Sequence, residues 1–431
     1  MTARTQLAGT VRPAARLRGR LTLPADKSIA HRALIVNALS GGPAFVEARM
    51  PGDDVFSTAA CLQTLGVSVT ETHTDGLVHF AIEGDAESNA RLDCGNSGTT
   101  MRLLSGAMAG RPVRVTLDGD ASLRARPMER VASLLRAAGA DATTTDGRAP
   151  ITVTGRSSLR ATRHRLPVAS AQLLAAAALA GLAADGETAI ETPSAVRDHT
   201  ERMLAAAGVP ISRDGLVTIL RGPSTPRPIS TRVPGDTSAA APWIVAAAIC
   251  ADAEVTLVDV GLNPTRTALL DLLRRMGADV SSAITGDGPE PTGEIRVRGG
   301  RRLDPVQVAG SEVAALIDEL PLVGVLMAAT QGPSELRDAS ELRVKESDRI
   351  ATTVAGLAAI GASVEELPDG WRVSRGRPRD ARITTHGDHR IAIAFAVAAL
   401  AGVATGVELD DPACVAVSYP GFWADLAKVS S

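Results

Sequence analysis

Leu135-Arg136-Ala137-Ala138-Gly139-Ala140-Asp141-Ala142-Thr143-Thr144-Thr145-Asp146-Gly147 runs from an apolar helix end, through a glycine, into β-prone residues and an Asp-Gly pair. Glycine takes the left-handed conformation that ends a helix. Asp-Gly between strand-like runs signals a tight hairpin turn. The stretch therefore predicts helix, strand, turn, strand. The same order recurs at Leu65-Gly66-Val67, Ala207-Gly208-Val209, Met276-Gly277-Ala278 and Ile360-Gly361-Ala362, followed by Asp75, Asp214, Asp287 and Asp369, each before a glycine. The helix-ending glycines are 73, 69, 69 and 84 residues apart. Five copies and the closing helix around Trp423 to Val429 predict six repeated helix-and-sheet units, three in each of two domains. A doubly wound sheet would need no hairpin after every helix, and no Gly-rich dinucleotide fingerprint follows the first strand, expected between Leu17 and Pro24.

Size and composition agree with an α/β chain of two domains. The 431 residues are too many for one core of ordinary size. With 45% hydrophobic and 22% charged residues the chain is globular, and a net charge of −3 gives no footprint for nucleic acid or membrane. The apolar run Leu173 to Ala184 is too short to span a bilayer. The arginine-rich start looks like a transit peptide, but a strand from Leu17 leaves little to remove, so a cytoplasmic protein is expected. Cys61, Cys94, Cys250 and Cys414 are too scattered for a disulfide framework or zinc site and read as reduced core residues. Lysine occurs only at Lys27, Lys345 and Lys428. A lysine that survives among arginines suits a site needing a compact point charge, although chance survival explains a tail residue such as Lys428 equally well.

Several polar segments interrupt a sequence otherwise built from Ala, Leu and Val. Ala25-Asp26-Lys27-Ser28 joins a strand to a helix that also carries His31 and Arg32; Asp26 or Ser28 could cap it, and an anion at its start would meet free N–H groups. Asp93 to Arg102 is rich in small residues that let backbone approach a ligand. Leu123 to Pro127 places Arg124 and Arg126 in a turn, Ser170-Ala171-Gln172 opens an alanine-rich helix, and Arg197-Asp198-His199-Thr200 leads into another. Arg343 to Arg349 gathers ionisable residues around Lys345 and Glu346, and His386 to Arg390 precedes an apolar helix that Asp388 could cap. His386 and His389 lack a third partner for a metal site. Lys27, Arg126, Lys345, Arg349 and Arg390 outnumber nearby motif carboxylates, a balance suited to small polyanionic substrates. Asp318 and Glu346 are left as acid/base candidates. No Ser-His-Asp or reactive-cysteine pattern is evident.

Together these segments, with Asp236 to Ser238, Asn263-Pro264-Thr265-Arg266 and Ile317-Asp318-Glu319, closely resemble the 5-enolpyruvylshikimate-3-phosphate synthase family in order along essentially the whole chain. The resemblance implies the two-domain enolpyruvyl transferase fold, with residues 25–235 as one domain, residues 1–24 plus 236–431 as the other, and the active site in the cleft between them. It implies transfer of the carboxyvinyl group of phosphoenolpyruvate to the 5-hydroxyl of shikimate 3-phosphate, in a monomer with no metal or organic cofactor. Shikimate 3-phosphate would meet Lys27, Ser28, Arg32, Ser170, Ala171, Gln172, Arg197, Asp318 and Lys345. Phosphoenolpyruvate would meet Lys27, Gly98, Arg126, Gln172, Arg349 and Arg390. Lys27, Asp318 and Glu346 would be catalytic, Asp318 taking the hydroxyl proton and Glu346 delivering one to the methylene carbon. Val417 stands where many relatives have lysine, and Leu103 where many have proline. The family is the target of glyphosate, and Gly98 with Asn263 to Arg266 mixes patterns of its sensitive and tolerant branches. A sister family that acts on UDP-N-acetylglucosamine carries a cysteine at the place of Arg126, and a catalytically silent phosphate-binding module would have no need of Lys27, Asp318 and Glu346 together.

Overall fold

In the computed structural model of the chain, Gly139 ends the helix Glu129–Ala138 in the left-handed region at φ 101°, and Gly66, Gly208, Gly277 and Gly361 share that conformation. The model describes residues 9–430, so the leader-like reading of the first eight residues lies outside them. In all five places a strand follows and folds back as an antiparallel hairpin. The turns differ from the uniform Asp-Gly expectation. Asp75-Gly76 and Asp146-Gly147 do form two-residue turns with positive φ at both residues. Asp214 instead pairs with Val217, so Gly215-Leu216 makes that turn. Asp287 pairs with Pro291, leaving a three-residue loop, and Leu367 pairs with Gly370, so Pro368-Asp369 turns the chain. Strand register fixes which residues turn, and proline's preset φ suits the first turn position at Pro368.

The described residues form six sheets, five of them containing one of these hairpins, and the chain divides into two compact units. The central unit holds Ala25–Pro234 with Gly288–Glu290; the terminal unit holds the described residues up to Pro24, Gly235–Asp287 and those from Pro291 onward. Three sheets lie in each. In five of the six a third strand pairs antiparallel with the hairpin and carries a parallel edge strand on its far side, as Arg114–Asp118 carries Ala90–Asp93. The sixth contains Asp380–Ile383, Gly406–Leu409 and Thr10–Val11, with the last strand antiparallel in place of a hairpin. Each unit's first sheet takes its edge strand from across the sequence. Leu17–Thr22 runs parallel to Ala253–Gly261 in the terminal unit, and Thr231–Arg232 runs parallel to Ala44–Arg49 in the central unit.

Buried helices fill the middle of each unit. In the central unit these include α1 (Lys27–Ala38), α3 (Gly98–Ala109) and Ala171–Gly181; in the terminal unit, Thr237–Ile249, Leu320–Ala329 and His389–Leu400. Nearly every residue of His389–Leu400 is buried, so an amphipathic stripe is absent and alanine dominates. Small residues bring backbones together: a Cβ at Gly106 would lie 2.3 Å from the Ala176 carbonyl oxygen, inside the neighbouring helix. Leu173 to Ala184 is thereby explained as core, and no described helix is long and apolar enough to cross a membrane. All four cysteines are buried and free.

Candidate active site

Helix starts carry most of the residues singled out above, because short polar side chains there satisfy N–H groups that have no partner within the helix. In the central unit Asp26 caps α1, accepting from the N–H of Ser28 at 2.8 Å and Ile29 at 3.1 Å. Lys27 is the first residue of α1, and its Nζ lies 3.2 Å from Asp54 Oδ2 on α2 (Asp53–Thr64). Arg32, one turn on, is 4% exposed; Nε donates to Thr200 Oγ1 at 2.7 Å and Nη1 to the Ser28 carbonyl at 2.8 Å. Burial lowers its pKa to about 10, against the opposing pull of Asp26 and Glu201. Arg197 is half-buried just before the helix His199–Ala206.

Ser97 caps α3 through the Thr100 N–H, which makes Gly98 the first helical residue. A Cβ there would meet Arg102 Nη1 at 2.7 Å and Arg126 Nη1 at 3.2 Å, so two guanidinium groups crowd one bare backbone position. Arg102 Nη1 also donates to Gln172 Oε1 at 2.7 Å, and Gln172 Nε2 to Thr99 Oγ1 at 2.9 Å. Arg126 donates to Asn96 Oδ1 at 3.0 Å. Ser170 caps the helix that begins with Ala171 and Gln172. Burial, reinforced by the charges of Arg126 and Arg130, lowers the Arg102 pKa to about 10. Among the described residues neither Arg102 nor Arg126 is hydrogen-bonded to a carboxylate. Gly98, Arg126 and Gln172, far apart in sequence, therefore share one cationic cluster organised by Arg102. Arg102 closes the small-residue segment from Asp93 but is not among the residues that the family resemblance assigns to a ligand. Its spacing of four from Gly98 was the available signal, since that spacing puts both on one helical face.

In the terminal unit the organising group is Arg349, the first residue of the helix Arg349–Ala359 and only 2% exposed. Its Nε donates to Asp388 Oδ2 at 2.8 Å and its Nη2 to Asp388 Oδ1 at 3.2 Å and Glu346 Oε2 at 2.7 Å, while Nη1 lies 3.9 Å from Asp318 Oδ1. Three carboxylates thus gather round one buried guanidinium. Asp388, wholly buried, also accepts from Ser347 Oγ at 2.9 Å and caps the helix His389–Leu400 through the Arg390 N–H. Burial alone would raise the Asp388 pKa; the Arg349 hydrogen bonds and charge outweigh it and hold the carboxyl below its usual range. Lys345 is exposed and Arg390 half-buried, and among the described residues neither side chain is engaged in a hydrogen bond or ion pair. Asp54 and Asp388 are the carboxylates that sequence reasoning did not place in the site. No group of three His, Cys, Asp or Glu among the described residues could hold a metal ion.

Against known proteins, the family model for EPSP synthase (3-phosphoshikimate 1-carboxyvinyltransferase) matches residues 11–426. A 3-phosphoshikimate 1-carboxyvinyltransferase of Herpetosiphon aurantiacus is 44% identical, over 97% of this chain and 99% of its own length. One from Acidithiobacillus ferrooxidans is 46% identical over 96% and 95%. The solved EPSP synthase of Acinetobacter baumannii superimposes with a TM-score of 0.87 at 36% identity, covering 98% of each chain. An enolpyruvyl transferase from Streptomyces tendae, 21% identical with a TM-score of 0.76 over 97% and 96%, shares the fold.

Proposed function

This chain belongs to the EPSP synthase family, and we propose that it transfers the carboxyvinyl group of phosphoenolpyruvate to the 5-hydroxyl of shikimate 3-phosphate, releasing phosphate in the route to aromatic amino acids. The observation that carries this reading is the pair of complementary residue sets. Around Gly98 stand cations that, among the described residues, have no hydrogen-bonded carboxylate, and around Arg349 stand carboxylates suited to moving protons. The first set favours a small polyanion; the second supplies acid and base.

In the proposed reaction Lys27, Gly98, Arg126, Gln172, Arg349 and Arg390 hold phosphoenolpyruvate. Lys27, Ser28, Arg32, Ser170, Ala171, Gln172, Arg197, Asp318 and Lys345 hold shikimate 3-phosphate. The 5-hydroxyl oxygen attacks C2 of phosphoenolpyruvate and gives its proton to Asp318. Glu346 protonates C3, which becomes a methyl group, and the product of this step is a tetrahedral adduct. Phosphate then leaves C2 with its bonding electron pair, C3 returns a proton to Glu346 to restore the vinyl group, and the proton on Asp318 departs with phosphate. Arg349 also links the two sets of groups: its Nη2 donates to Glu346, and the substrate carboxylate would replace Glu346 there, leaving that acid to face C3. The same reading has the enzyme act as a cytoplasmic monomer without metal or organic cofactor.

The test is phosphate release that requires both substrates, run in deuterated water. Wild type should incorporate deuterium at C3 of phosphoenolpyruvate only when shikimate 3-phosphate is present. Glu346→Gln should suppress that exchange while both substrates still bind. Absence of phosphate release from the wild type would sink the function, and full exchange in the glutamine variant would remove Glu346 from its role.

A further inference from the structure

His31, Thr58, Ser97 and Thr100 are wholly buried in the central unit and have no part in the reaction above. They form one hydrogen-bonded line: His31 Nδ1 to Thr58 Oγ1 at 2.7 Å, Thr58 Oγ1 to Thr100 Oγ1 at 2.6 Å, and Thr100 Oγ1 to Ser97 Oγ at 2.7 Å. His31 is on α1, Thr58 on α2 and Thr100 on α3, so the line stitches three helices together. A hydroxyl has one proton to give. With Thr100 donating to Ser97, Thr100 must accept from Thr58, and Thr58 from His31. The imidazole therefore carries its proton on Nδ1. Its Nε2 is buried with no hydrogen-bond partner, as a bare acceptor; a proton there would be an orphaned donor. Burial lowers the His31 pKa to about 3, which keeps the ring neutral.

The ends of the line bracket residues assigned to substrate. His31 lies one turn after Lys27, and Ser97 and Thr100 flank Gly98. On α2, one turn before Thr58, Asp54 pairs with Lys27 at 3.2 Å. We propose that this buried line is a positioning relay for phosphoenolpyruvate, holding the start of α3 at Gly98 in register with the start of α1 at Lys27. The proposal rests on the functional reading above, in which phosphoenolpyruvate alone addresses both helix starts and shikimate 3-phosphate does not touch Gly98. Cutting the line should therefore harm one substrate and spare the other. Loss of general stability would not discriminate between them.

Thr58→Val removes the hydroxyl at nearly constant shape, and Thr58→Ser restores it. With each substrate varied in turn, the valine variant should raise KM for phosphoenolpyruvate about tenfold, with KM for shikimate 3-phosphate moving by less than about twofold. The serine variant should recover most of the loss. Equal changes for both substrates, or none, in a folded valine variant would overturn the relay. Thr100→Val cuts the same line and carries the kinetic test should Thr58→Val not fold. Nitrogen-15 NMR of histidine-labelled wild type should find His31 neutral with its proton on Nδ1, and a proton on Nε2 would overturn the polarity. A wild type that releases no phosphate would count against the function, whereas the NMR result stands apart from activity.

Discussion

Lys27 shows how a single side chain concentrates the electrostatics of the site. It opens α1, whose first N–H groups Asp26 caps, and among the described residues the carboxylate it pairs with is Asp54, 3.2 Å away. Neutralising one carboxylate leaves no surplus, so anion binding must come from replacing or sharing that partner. A compact ammonium with three rotatable donors can serve two anions and Asp54 in turn, whereas a planar guanidinium binds in fixed forks. Lys27→Arg should therefore keep the melting temperature within about 2 °C, since a half-exposed ion pair contributes little to stability. It should lower kcat/KM by at least about a hundredfold, the scale expected when a reacting group is misplaced by an ångström. Differential scanning calorimetry and steady-state kinetics on the same preparation check both arms, and near-normal turnover would mean that position 27 requires only a positive charge.

Among the elements, the helix His389–Leu400 makes the most exacting demand on its cap. Asp388 must satisfy the helix start and neutralise buried Arg349 at once. Its carboxyl titrates below the usual range in the folded protein, so the stability it contributes is present above the unfolded value near pH ~4 and is lost as pH falls through the depressed folded value. Asp388→Asn keeps an oxygen for capping but strips Arg349 of its fully buried, two-point carboxylate partner, and should cost on the order of 3 kcal/mol at neutral pH. In urea titrations the gap between wild type and variant should narrow as pH drops below ~4; a gap constant with pH would show that the cap, not the ion pair, carries the loss. The cap at Asp388 was legible in the sequence, and the α1 cap to within Asp26 or Ser28, because capping is local chemistry read within a few residues; Ser170 was legible only as the opening of its helix. The partner of Asp388 was not. Arg349 is thirty-nine residues away, and nothing local tells an arginine that meets substrate from one enclosed by Asp388, Glu346 and Asp318. The same holds for Arg102 and Gln172, seventy residues apart.

Across the whole molecule, the six-part repeat was legible because helix-ending glycines and turn residues recur in sequence, while the edge-strand exchange was not. Parallel pairing of Leu17–Thr22 with Ala253–Gly261 needs no turn and so leaves no local signature. The residues proposed for one ligand fall in both units. Lys27, Ser28, Arg32, Ser170, Ala171, Gln172 and Arg197 belong to the central unit, and Asp318 and Lys345 to the terminal one. Each unit has its own apolar core, the organisation from which units that unfold separately are expected. A ligand held by one unit would stabilise that unit alone, whereas a ligand held by residues of both must be released before either unfolds. At about a hundred times its Kd, shikimate 3-phosphate should slow by roughly a hundredfold those amides that exchange only through unfolding of a unit. Hydrogen exchange read by mass spectrometry should show this slowing in core peptides of α1 and of Leu320–Ala329 alike. Phosphoenolpyruvate added afterwards should bring further protection at the start of α3, around Gly98. Slowing confined to the central unit would withdraw Asp318 and Lys345 from the shikimate 3-phosphate site, and slowing confined to the terminal unit would withdraw Lys27 and its neighbours.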